Sequence, residues 1–563
     1  MKESGAAISA ARRLISGLIE SGLGGAVVSP GSRNAPLMQA IRDAGLPEIV
    51  ALDERAAAHH ALGMALALNQ PVAVCCTSGT AAINHGPALA EASQLGLPII
   101  SLTADRPEGA ANQWESQTLV QSGMHARHVR GSYLWPPKVN SEADCLDAIR
   151  ADLLYGPVHV NCPFDEPLYP SKNSDTKGEA PFSGQSYPQF ETRNDLQTSN
   201  DALLRIQQAL ERQERIMLLG GTQQTVIDTD TLSTWGQKAV IVGDSTSGLG
   251  ASTHAIIAVD RWMRRWKKSG KAWSEVKPDL VVGFGAPLLS KALRNALRTE
   301  AVDHIHIDPT QRFPCAFQQP PIGVQMPVQM ALAELSKHME SHAPTDAVRS
   351  WQLGWHDIES RTRAAHHVAL DASPWSDLVA HAILHEAIPL DWDLHLGNST
   401  PVRYAQLFHR SDRPAPWSNR GVAGIDGCSS TAVGAALARR NTTLITGDLG
   451  FLYDANAFLV HPIPSQLRIA VIHNGGGGVF RWLDGPERTG LLESHFEMRH
   501  GRELSSLCDF HSLEHQRVTN GETLRAALSD WWSPSAVPRV LEIVTSPELS
   551  AEAYSMYMDK VSV

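Results

Sequence analysis

The sequence of 563 residues contains little cysteine, no long apolar run and no excess of positive charge. Its seven cysteines include no Cys-x-x-Cys pair, which excludes a disulfide framework or a cysteine zinc site and favours a reducing compartment. No segment reaches the roughly 18 apolar residues that a membrane-spanning helix needs. The first 20 residues also lack the unbroken apolar run of a signal peptide. We therefore expect a cytoplasmic protein without a membrane span.

Charge and composition narrow the class of protein further. The chain has 48 basic and 59 acidic residues and a net charge of -11, which repels polyanions and argues against nucleic acid as a partner. Hydrophobic residues make up 43% and charged residues 19% of the chain, a composition typical of globular proteins with large cores. Because a domain usually has roughly 100 to 200 residues, this length predicts about three domains.

Short apolar runs alternate with longer helical patterns, which predicts an α/β fold of three doubly wound domains with largely parallel sheets. The predicted domains cover residues 1–180, 195–345 and 375–563. Residues 171–200 are polar and predict a linker, and residues 340–375 predict a partly helical connector. The predicted strands are GGAVVSP, PVAVCCTSG, LPIISLTAD and GPVHVNCP, then RIMLLGG, KAVIVGD, DLVVGFG and HIHIDP, then DWDLHLGNS, TTLITGDLG, LRIAVIHNGGGG and RVLEIVTS.

The most specific motif lies in the third predicted domain. Gly447 and Asp448 follow one predicted strand, and Asn474 with four glycines follows the next. Both places lie just beyond the carboxyl ends of strands, where open parallel sheets bind ligands. Mg²⁺ prefers oxygen ligands and is commonly shared between a few protein groups and phosphates. Asp448, the Asn474 amide oxygen and the Gly476 carbonyl therefore predict a metal site, and the glycines let a diphosphate approach the backbone.

A Gly-Asp pair followed 26 residues after Asp448 by Asn474 resembles the signature of the thiamine diphosphate-dependent 2-oxo acid enzymes. The resemblance implies thiamine diphosphate and Mg²⁺ as cofactors, with Mn²⁺ as an alternative ion. It implies Glu54 as the catalytic carboxylate that pairs with the aminopyrimidine ring, whereas Glu54 taken alone is equally a first-turn acid favoured by the helix dipole. The sequence departs from the usual signature at Leu449 and His473. A homodimer or homotetramer with active sites at the subunit interface is also implied.

Further blocks resemble the menaquinone-pathway synthases of that family, which transfer a succinyl unit. They are SPGSRNAPL, LTADRPEGAANQWESQ, GNSTPVR and SNRGVAGIDG, and with the cofactor motifs they extend from residue 29 to beyond residue 480. The resemblance implies a transferase that decarboxylates 2-oxoglutarate and adds the resulting succinyl-semialdehyde unit to isochorismate by conjugate addition. Both substrates carry two carboxylates, so arginine forks are expected around them.

Carried over by position, the resemblance implies the site residues. The substrate-binding residues are Ser32, Arg33, Arg106, Gln117, Lys291, Arg403, Arg420 and Phe480. The cofactor-binding residues are Glu54, Asn398, Ser399, Ile425, Gly447, Asp448, Leu449, Asn474, Gly476 and Val479. Ile425 is expected as an apolar wedge beneath the cofactor, and Val479, Phe480 and Leu483 as an apolar wall. Core packing is the alternative explanation for these four.

The middle domain is expected to contribute Lys291. Ala292 follows it where another basic residue is expected, and Arg294 is predicted to point elsewhere because a helix turns about 100° per residue. His85 and His473 are candidates for assisting proton transfer, although the chain has 24 histidines.

Two other functions remain open. An acetolactate synthase or 2-oxo acid decarboxylase would retain Glu54, Asp448 and Asn474 but act on pyruvate-like 2-oxo acids. A non-catalytic protein of the same fold would use the basic and aromatic stretch RWMRRWKKSGKAW, residues 261–273, at a membrane or an acidic partner. The commonest meaning of such a stretch is a solvated amphipathic helix.

Overall fold

The computed structural model describes residues 5–107, 109–110, 113–170, 200–223, 225–299, 302–339, 342–483 and 485–562. Nearly all of the predicted linker, residues 171–199, lies outside the described residues. Within them the strands form three sheets, and neighbouring strands are parallel except for one pair at the edge of the first sheet. The predicted α/β class with largely parallel sheets is therefore confirmed. No helix in the described ranges is both long enough and apolar enough to span a bilayer.

The first sheet is built mainly from the N-terminal part of the chain. Its strands are, in spatial order, β14 (Val460–His461), β2 (Glu48–Ala51), β1 (Gly25–Val28), β3 (Val72–Cys76), β4 (Ile99–Asp105), β6 (Val158–Pro163) and β5 (Gly131–Leu134). Its helices are α1 (Ala6–Glu20), α2 (Ala35–Asp43), α3 (Glu54–Leu68), α4 (Thr80–Ile83), α5 (Gly86–Leu95) and α6 (Glu142–Leu153). Because β14 pairs antiparallel with β2, a segment from the third part of the chain closes one edge of this sheet.

The second sheet is parallel throughout its described strands. In spatial order these are β11 (Ile322–Val324), β10 (Asp303–Ile307), β9 (Leu280–Phe284), β7 (Ile216–Gly220) and β8 (Ala239–Gly243). Its helices are α7 (Asn200–Glu211), α8 (Thr229–Lys238), α9 (Val259–Ser269), α10 (Trp273–Val276), α11 (Lys291–Thr299) and α12 (Val328–Lys337). The predicted connector contains one long helix, α13 (Asp346–Asp371).

The first residues of the basic and aromatic stretch 261–273 belong to the core of this region. Trp262 is fully buried and stacks on Trp355 of α13 with 3.6 Å between ring centroids. Arg261 is also buried, and its guanidinium lies 3.5 Å from the Glu359 carboxylate. The first residues of the stretch are therefore used in packing, whereas Lys267, Lys268 and Lys271 are exposed, as expected for an amphipathic helix whose cations face solvent.

The third sheet is also parallel. In spatial order its strands are β12 (Asp393–Leu396), β13 (Thr442–Gly447), β15 (Leu467–His473), β17 (Arg539–Val544) and β16 (Glu514–Val518). Its helices are α14 (Asp377–Ala387), α15 (Thr400–Tyr404), α16 (Cys428–Leu437), α17 (Asp448–Tyr453), α18 (Leu504–Phe510), α19 (Gly521–Trp531) and α20 (Pro547–Lys560). All the predicted strands are present, and β2, β5, β11, β14 and β16 are additional.

Helices α3 and α16 cross at close range and join the first and third sheets. A Cβ on Gly63 would lie 1.9 Å from the Thr431 carbonyl oxygen, and one on Gly434 would lie 2.1 Å from the His60 carbonyl oxygen. Only glycine permits backbones to approach this closely. The start of α3, which carries Glu54, is therefore fixed relative to the third sheet.

Candidate cofactor and substrate site

Three predicted motifs meet at one edge of the third sheet. Strands β12, β13 and β15 are parallel neighbours, so their carboxyl ends lie side by side. Asn398 and Ser399 follow β12, Asp448 follows β13, and Asn474 follows β15. Open parallel sheets bind ligands at this edge. The fold therefore collects residues that are far apart in the sequence.

The Asp448 carboxylate is almost fully buried at the start of α17. Its Oδ2 accepts hydrogen bonds from the amides of Gly475 and Gly476 at 2.7 and 3.0 Å, and its Oδ1 accepts one from the Leu449 amide at 2.7 Å. Gly475 has a φ of 80° and Gly476 a φ of 156°, a region that side chains disfavour. The glycine run thus allows the loop after β15 to fold onto the carboxylate.

Asn474 is oriented by Asp377, the first residue of α14. Its Nδ2 donates to Asp377 Oδ2 at 2.9 Å, and Asp377 Oδ1 accepts from Thr545 Oγ1 at 2.6 Å and Ser550 Oγ at 3.1 Å. Burial raises the pKa of Asp377, while these hydrogen bonds lower it. Among the described residues Asn474 Oδ1 is buried without a hydrogen-bond partner. Since an unsatisfied buried oxygen is costly, and the next residue, Gly475, donates its amide to Asp448, this oxygen suits a metal ligand.

Two histidines flank Asp448, and the sequence analysis missed one of them. His500 Nε2 lies 3.4 Å and His473 Nε2 lies 3.9 Å from Asp448 Oδ2. On its other side, His473 Nδ1 is 2.6 Å from Glu542 Oε1. Burial raises the pKa of Glu542, but hydrogen bonds from His473 and His515 outweigh it and bring the pKa to about 2. Glu542 is therefore ionised and fixes the His473 ring.

The predicted apolar residues lie beside this edge. Val479 and Phe480 are half-buried in the short helix Gly478–Trp482, which follows the glycine run. The Ile425 backbone approaches α17, since a Cβ on Gly450 would lie 3.7 Å from the Ile425 carbonyl oxygen. Leu483 is 52% exposed, so within one chain it does not form part of an apolar wall.

A cluster of arginines lies next to the first residues after β12. Asn398 Nδ2 donates to the carbonyl oxygens of Asn419 and Gly424 at 2.6 and 2.7 Å, and its Oδ1 accepts from Arg420 Nη1 at 2.9 Å. Burial lowers the pKa of Arg420, Asp244 opposes this, and Arg403 and Arg294 lower it further. These arginines are therefore close enough to repel one another.

Arg294 interacts electrostatically with this cluster, and since it lies two positions and about 200° from Ala292 on the helix, its pointing away from the Ala292 position stays a prediction. Burial lowers its pKa, and Arg298 and Arg403 add to the effect while Asp244 opposes it. Positions three apart on a helix share one side, so Arg294 projects on the same side of α11 as the exposed Lys291.

Asp244 is a residue that the sequence analysis did not identify. It follows β8, is buried, and accepts a hydrogen bond from the Leu289 amide at 2.9 Å. Burial raises its pKa to about 7, against the effect of that bond and of the Arg420 and Arg294 charges. The sequence does contain the pattern that predicts it: Asp244 directly follows the apolar strand in KAVIVGD, just as Asp448 directly follows its strand.

Glu54 lines a separate cavity of about 390 Å³ at the carboxyl end of the first sheet. Gln117 lines the same cavity, so the structure brings these two predicted residues together. The full lining is Pro30, Glu54, Thr77, Ser78, Gly79, Thr80, Ala81, Asn84, Glu115, Gln117, Thr118 and Leu119. All of it comes from the first part of the chain, so among the described residues Asp448 does not line the Glu54 cavity of its own chain.

Three further predicted residues border the Glu54 cavity. The Arg33 amide donates to Thr77 Oγ1 at 3.3 Å, and the Arg106 guanidinium lies 3.6 Å from the Glu115 carboxylate. Both of these partners line the cavity. Ser32 is exposed next to Arg33. The first sheet therefore presents two carboxylates, Glu54 and Glu115, in one cavity, with the Arg106 guanidinium and the Arg33 backbone at its rim.

His85 is not suited to proton transfer. Its side chain is buried, and its Nδ1 lies 2.8 Å from Ser101 Oγ. Burial, with the neighbouring His125 and His159, lowers its pKa to about 3. It is therefore neutral near pH 7 and enclosed in the region of the first sheet.

Comparison with known proteins identifies the family. The N-terminal TPP binding domain of thiamine pyrophosphate enzymes matches residues 8–124. The protein of Cytophaga hutchinsonii named 2-succinyl-5-enolpyruvyl-6-hydroxy-3-cyclohexene-1-carboxylate synthase is 34% identical over 96% of each chain. Two proteins of the same name are also similar. That of Porphyromonas gingivalis is 31% identical over 95% of this chain and 94% of its own. That of Saccharopolyspora erythraea is 32% identical over 92% of each chain. The chain therefore belongs to the 2-succinyl-5-enolpyruvyl-6-hydroxy-3-cyclohexene-1-carboxylate synthase family of thiamine diphosphate-dependent transferases.

Proposed function

We propose that this protein, with thiamine diphosphate and Mg²⁺, decarboxylates 2-oxoglutarate and adds the remaining succinyl-semialdehyde unit to isochorismate in menaquinone biosynthesis. The observation that carries the proposal is the unpartnered, buried Oδ1 of Asn474, the residue before Gly475, whose amide donates to the Asp448 carboxylate. Two oxygen ligands beside a glycine turn suit a hard divalent ion that also binds a diphosphate. The names of the relatives indicate the reaction.

The protein groups that would hold the cofactor lie at the third sheet. Asp448, Asn474 and the Gly476 carbonyl would bind Mg²⁺, or Mn²⁺ in its place. A Cβ added at Gly447 would meet no atom within 4 Å, so there is room for a diphosphate against the backbone. When bound, thiamine diphosphate supplies the carbanion-stabilising chemistry that decarboxylation needs. The residues of the chain position the substrates and neutralise their charge.

Glu54 would exchange a proton with the aminopyrimidine ring of the cofactor. The cavity that contains Glu54 is lined by residues of the first sheet region alone, whereas Asp448 belongs to the third sheet. A complete site would therefore combine the Glu54 surface of one chain with the Asp448 edge of a second. The smallest active unit under this proposal is a homodimer with two shared sites.

The arginine cluster supports dicarboxylate substrates. Burial lowers the pKa of Arg420 and of Arg294, the Arg403 charge lowers both further, and Asp244 is the buried acid beside them. A bound carboxylate relieves this repulsion, and each hydrogen bond to a charged group contributes about 1.5–3 kcal/mol. Pyruvate lacks a second carboxylate to use these groups. The cluster therefore favours 2-oxoglutarate and isochorismate over the pyruvate-like substrates of the alternative function.

A coupled assay tests the reaction. The protein is incubated with thiamine diphosphate, Mg²⁺, 2-oxoglutarate and isochorismate, and carbon dioxide release and isochorismate loss are followed together. We expect both signals, with equal stoichiometry. Parallel reactions contain pyruvate in place of 2-oxoglutarate. Full turnover with pyruvate alone would show that the substrate assignment is wrong.

Mixing two inactive variants tests the shared site. Chains with Glu54→Gln and chains with Asp448→Ala are co-expressed with different tags, and the mixed dimers are purified on both tags. If Glu54 of one chain serves the Asp448 edge of the other, one of the two sites is intact, and about half of the wild-type activity returns. Mixed dimers that remain as inactive as the two parents would exclude the shared arrangement.

A further inference from the structure

Three possible metal-binding side chains converge on one carboxylate oxygen. The ligand atoms of Asp448, His473 and His500 all lie within 4.8 Å of one another. Asp448 Oδ2 is 3.4 Å from His500 Nε2 and 3.9 Å from His473 Nε2. In a tetrahedral site with bonds of about 2.0–2.2 Å, ligand atoms are about 3.3–3.6 Å apart. Small side-chain rotations therefore suffice to place all three on one ion.

His473 is already arranged as a ligand, whereas His500 Nδ1 accepts from the Arg502 amide at 3.3 Å, so metal binding at His500 Nε2 releases a proton. His473 has Glu542 on its Nδ1 at 2.6 Å, and a carboxylate on the far nitrogen is the usual device that directs the other nitrogen of a metal-binding histidine. His500 Nε2 is buried without a hydrogen-bond partner among the described residues. The two rings are nearly parallel, with 16° between their planes and 5.5 Å between their centroids.

We propose that Asp448, His473 and His500 form an alternative metal site for borderline divalent ions such as Zn²⁺, Co²⁺ and Ni²⁺. Imidazole nitrogen suits these ions, whereas Mg²⁺ prefers oxygen and keeps it through water and phosphate. The alternative site shares Asp448 with the oxygen ligands Asn474 and Gly476. Occupancy by a zinc-like ion therefore competes with Mg²⁺ and inhibits the protein by removing a ligand from the Mg²⁺ site.

Cobalt is the probe because its visible absorption distinguishes nitrogen ligands in a four- or five-coordinate site from the weak absorption of an all-oxygen octahedral site. The full-length protein is treated with a chelator, freed of it, and titrated with Co²⁺ without thiamine diphosphate. We expect one Co²⁺ per chain with intense visible bands. Zn²⁺ should abolish the bands at equal concentration, and Mg²⁺ should do so only at an excess of at least about 100-fold.

Variants assign the ligands. His500→Gln and His473→Asn should each weaken Co²⁺ binding at least about tenfold and change the spectrum, and Asp448→Ala should remove it. His495→Gln is the matched control, because His495 is an exposed histidine of the same loop, and it should leave the titration unchanged. Circular dichroism and the unfolding temperature show whether each variant is folded.

The outcomes separate this inference from the proposed reaction. A weak octahedral spectrum in the wild-type protein, or unchanged Co²⁺ affinity in both folded histidine variants, would overturn the imidazole site. Several ions per chain that persist in all variants would indicate binding to surface histidines and would also overturn it. Loss of the proposed reaction in the coupled assay has no bearing on the cobalt spectrum, so the two failures are distinguishable.

Discussion

The first and third sheets present carboxylates at equivalent places but in opposite surroundings. Glu54, after β2, lines an open cavity together with hydroxyl and amide side chains. Asp448, after β13, is buried and accepts hydrogen bonds from three backbone amides, with two histidines beside it. A half-buried carboxylate that lines a cavity is suited to exchange protons, and a buried carboxylate held by three amides is suited to hold a cation. The surroundings of the residue, and not the strand topology, separate the two chemistries.

The largest expected effect is the loss of cofactor binding in the Asp448→Ala variant. Asp448→Ala removes a proposed metal ligand and the acceptor of three amides, so we expect loss of Mg²⁺-dependent thiamine diphosphate binding. The decrease should exceed the roughly 10- to 100-fold typical of outer-shell partners. Calorimetry with and without Mg²⁺ measures it. Asp509→Ala, at an exposed acid of α18, is the control, and unchanged Mg²⁺-dependent binding in Asp448→Ala would contradict the assignment.

Unlike Asp448→Ala, Glu54→Gln should lower turnover without lowering cofactor affinity. It retains the shape of the side chain but removes the proton-exchanging group, so turnover should fall by about 10²- to 10⁴-fold while thiamine diphosphate affinity stays close to that of the wild type. Steady-state kinetics and calorimetry on the same preparation give the two numbers. Glu20→Gln, at the exposed end of α1, serves as control. Equal loss of binding in Glu54→Gln and Asp448→Ala would remove the distinction between the edges.

Asp377→Asn tests whether the Asp377 carboxylate orients the Asn474 amide for metal binding. The Asp377 carboxylate only accepts hydrogen bonds, and this forces the Asn474 amide to direct its oxygen away from Asp377. With Asn at 377 that amide is free to flip, so Mg²⁺ affinity should fall about 10- to 100-fold. Ser550→Ala removes a bond to the other oxygen of Asp377 and should have a smaller effect. Equal effects would exclude orientation of Asn474 as the cause.

Arg294→Ala tests whether the arginine cluster binds a substrate carboxylate. Loss of one charged hydrogen bond worth about 1.5–3 kcal/mol should raise the KM for a dicarboxylate about 10- to 100-fold. Arg298→Ala is the matched control on the same helix, since Arg298 donates to the Ala316 carbonyl oxygen at 2.9 Å. Initial rates at varied substrate concentration distinguish them, and a KM unchanged in Arg294→Ala would place this side chain outside the site.

The smallest effect concerns acid stability. The folded-state pKa of Glu542, about 2, lies below its ordinary value of 4.5, so its charge stabilises the fold above that ordinary value. The contribution is lost as the pH falls through about 2. Glu542→Gln should therefore be less stable than the wild type at pH 7, and the difference should shrink below pH 4.5. Denaturant unfolding at several pH values tests this, and a difference independent of pH would contradict it.

The sequence predicted the central strands because strands covered on both faces are continuous apolar runs. It did not predict β5 and β16, whose residues GSYL and EHQRV lie at sheet edges and are not continuously apolar. Asp448 and Asn474 were predictable because each directly follows a central strand. The sequence therefore predicts strands where both faces are buried, and it does not predict edge strands that are partly exposed.

The missed site residues have no such pattern. His500 reaches Asp448 because its amide donates to the Gly475 carbonyl oxygen at 3.1 Å, a contact between two loops. Asp377 reaches Asn474 from the first turn of a helix, where an acid is common for other reasons. Asp244 did follow a predicted strand and was overlooked. The pairing of Glu54 with Asp448 stays a prediction, since it requires a second chain.

The strand β14 has a consequence for dissection of the protein. Val460 and His461 cover the outer edge of β2, so a truncated N-terminal fragment would leave the amides and carbonyls of β2 unpaired. An uncovered edge recruits strands from other molecules. Recombinant fragments that stop before residue 460 should consequently self-associate, and supplying the missing dipeptide segment in trans offers a way to rescue them.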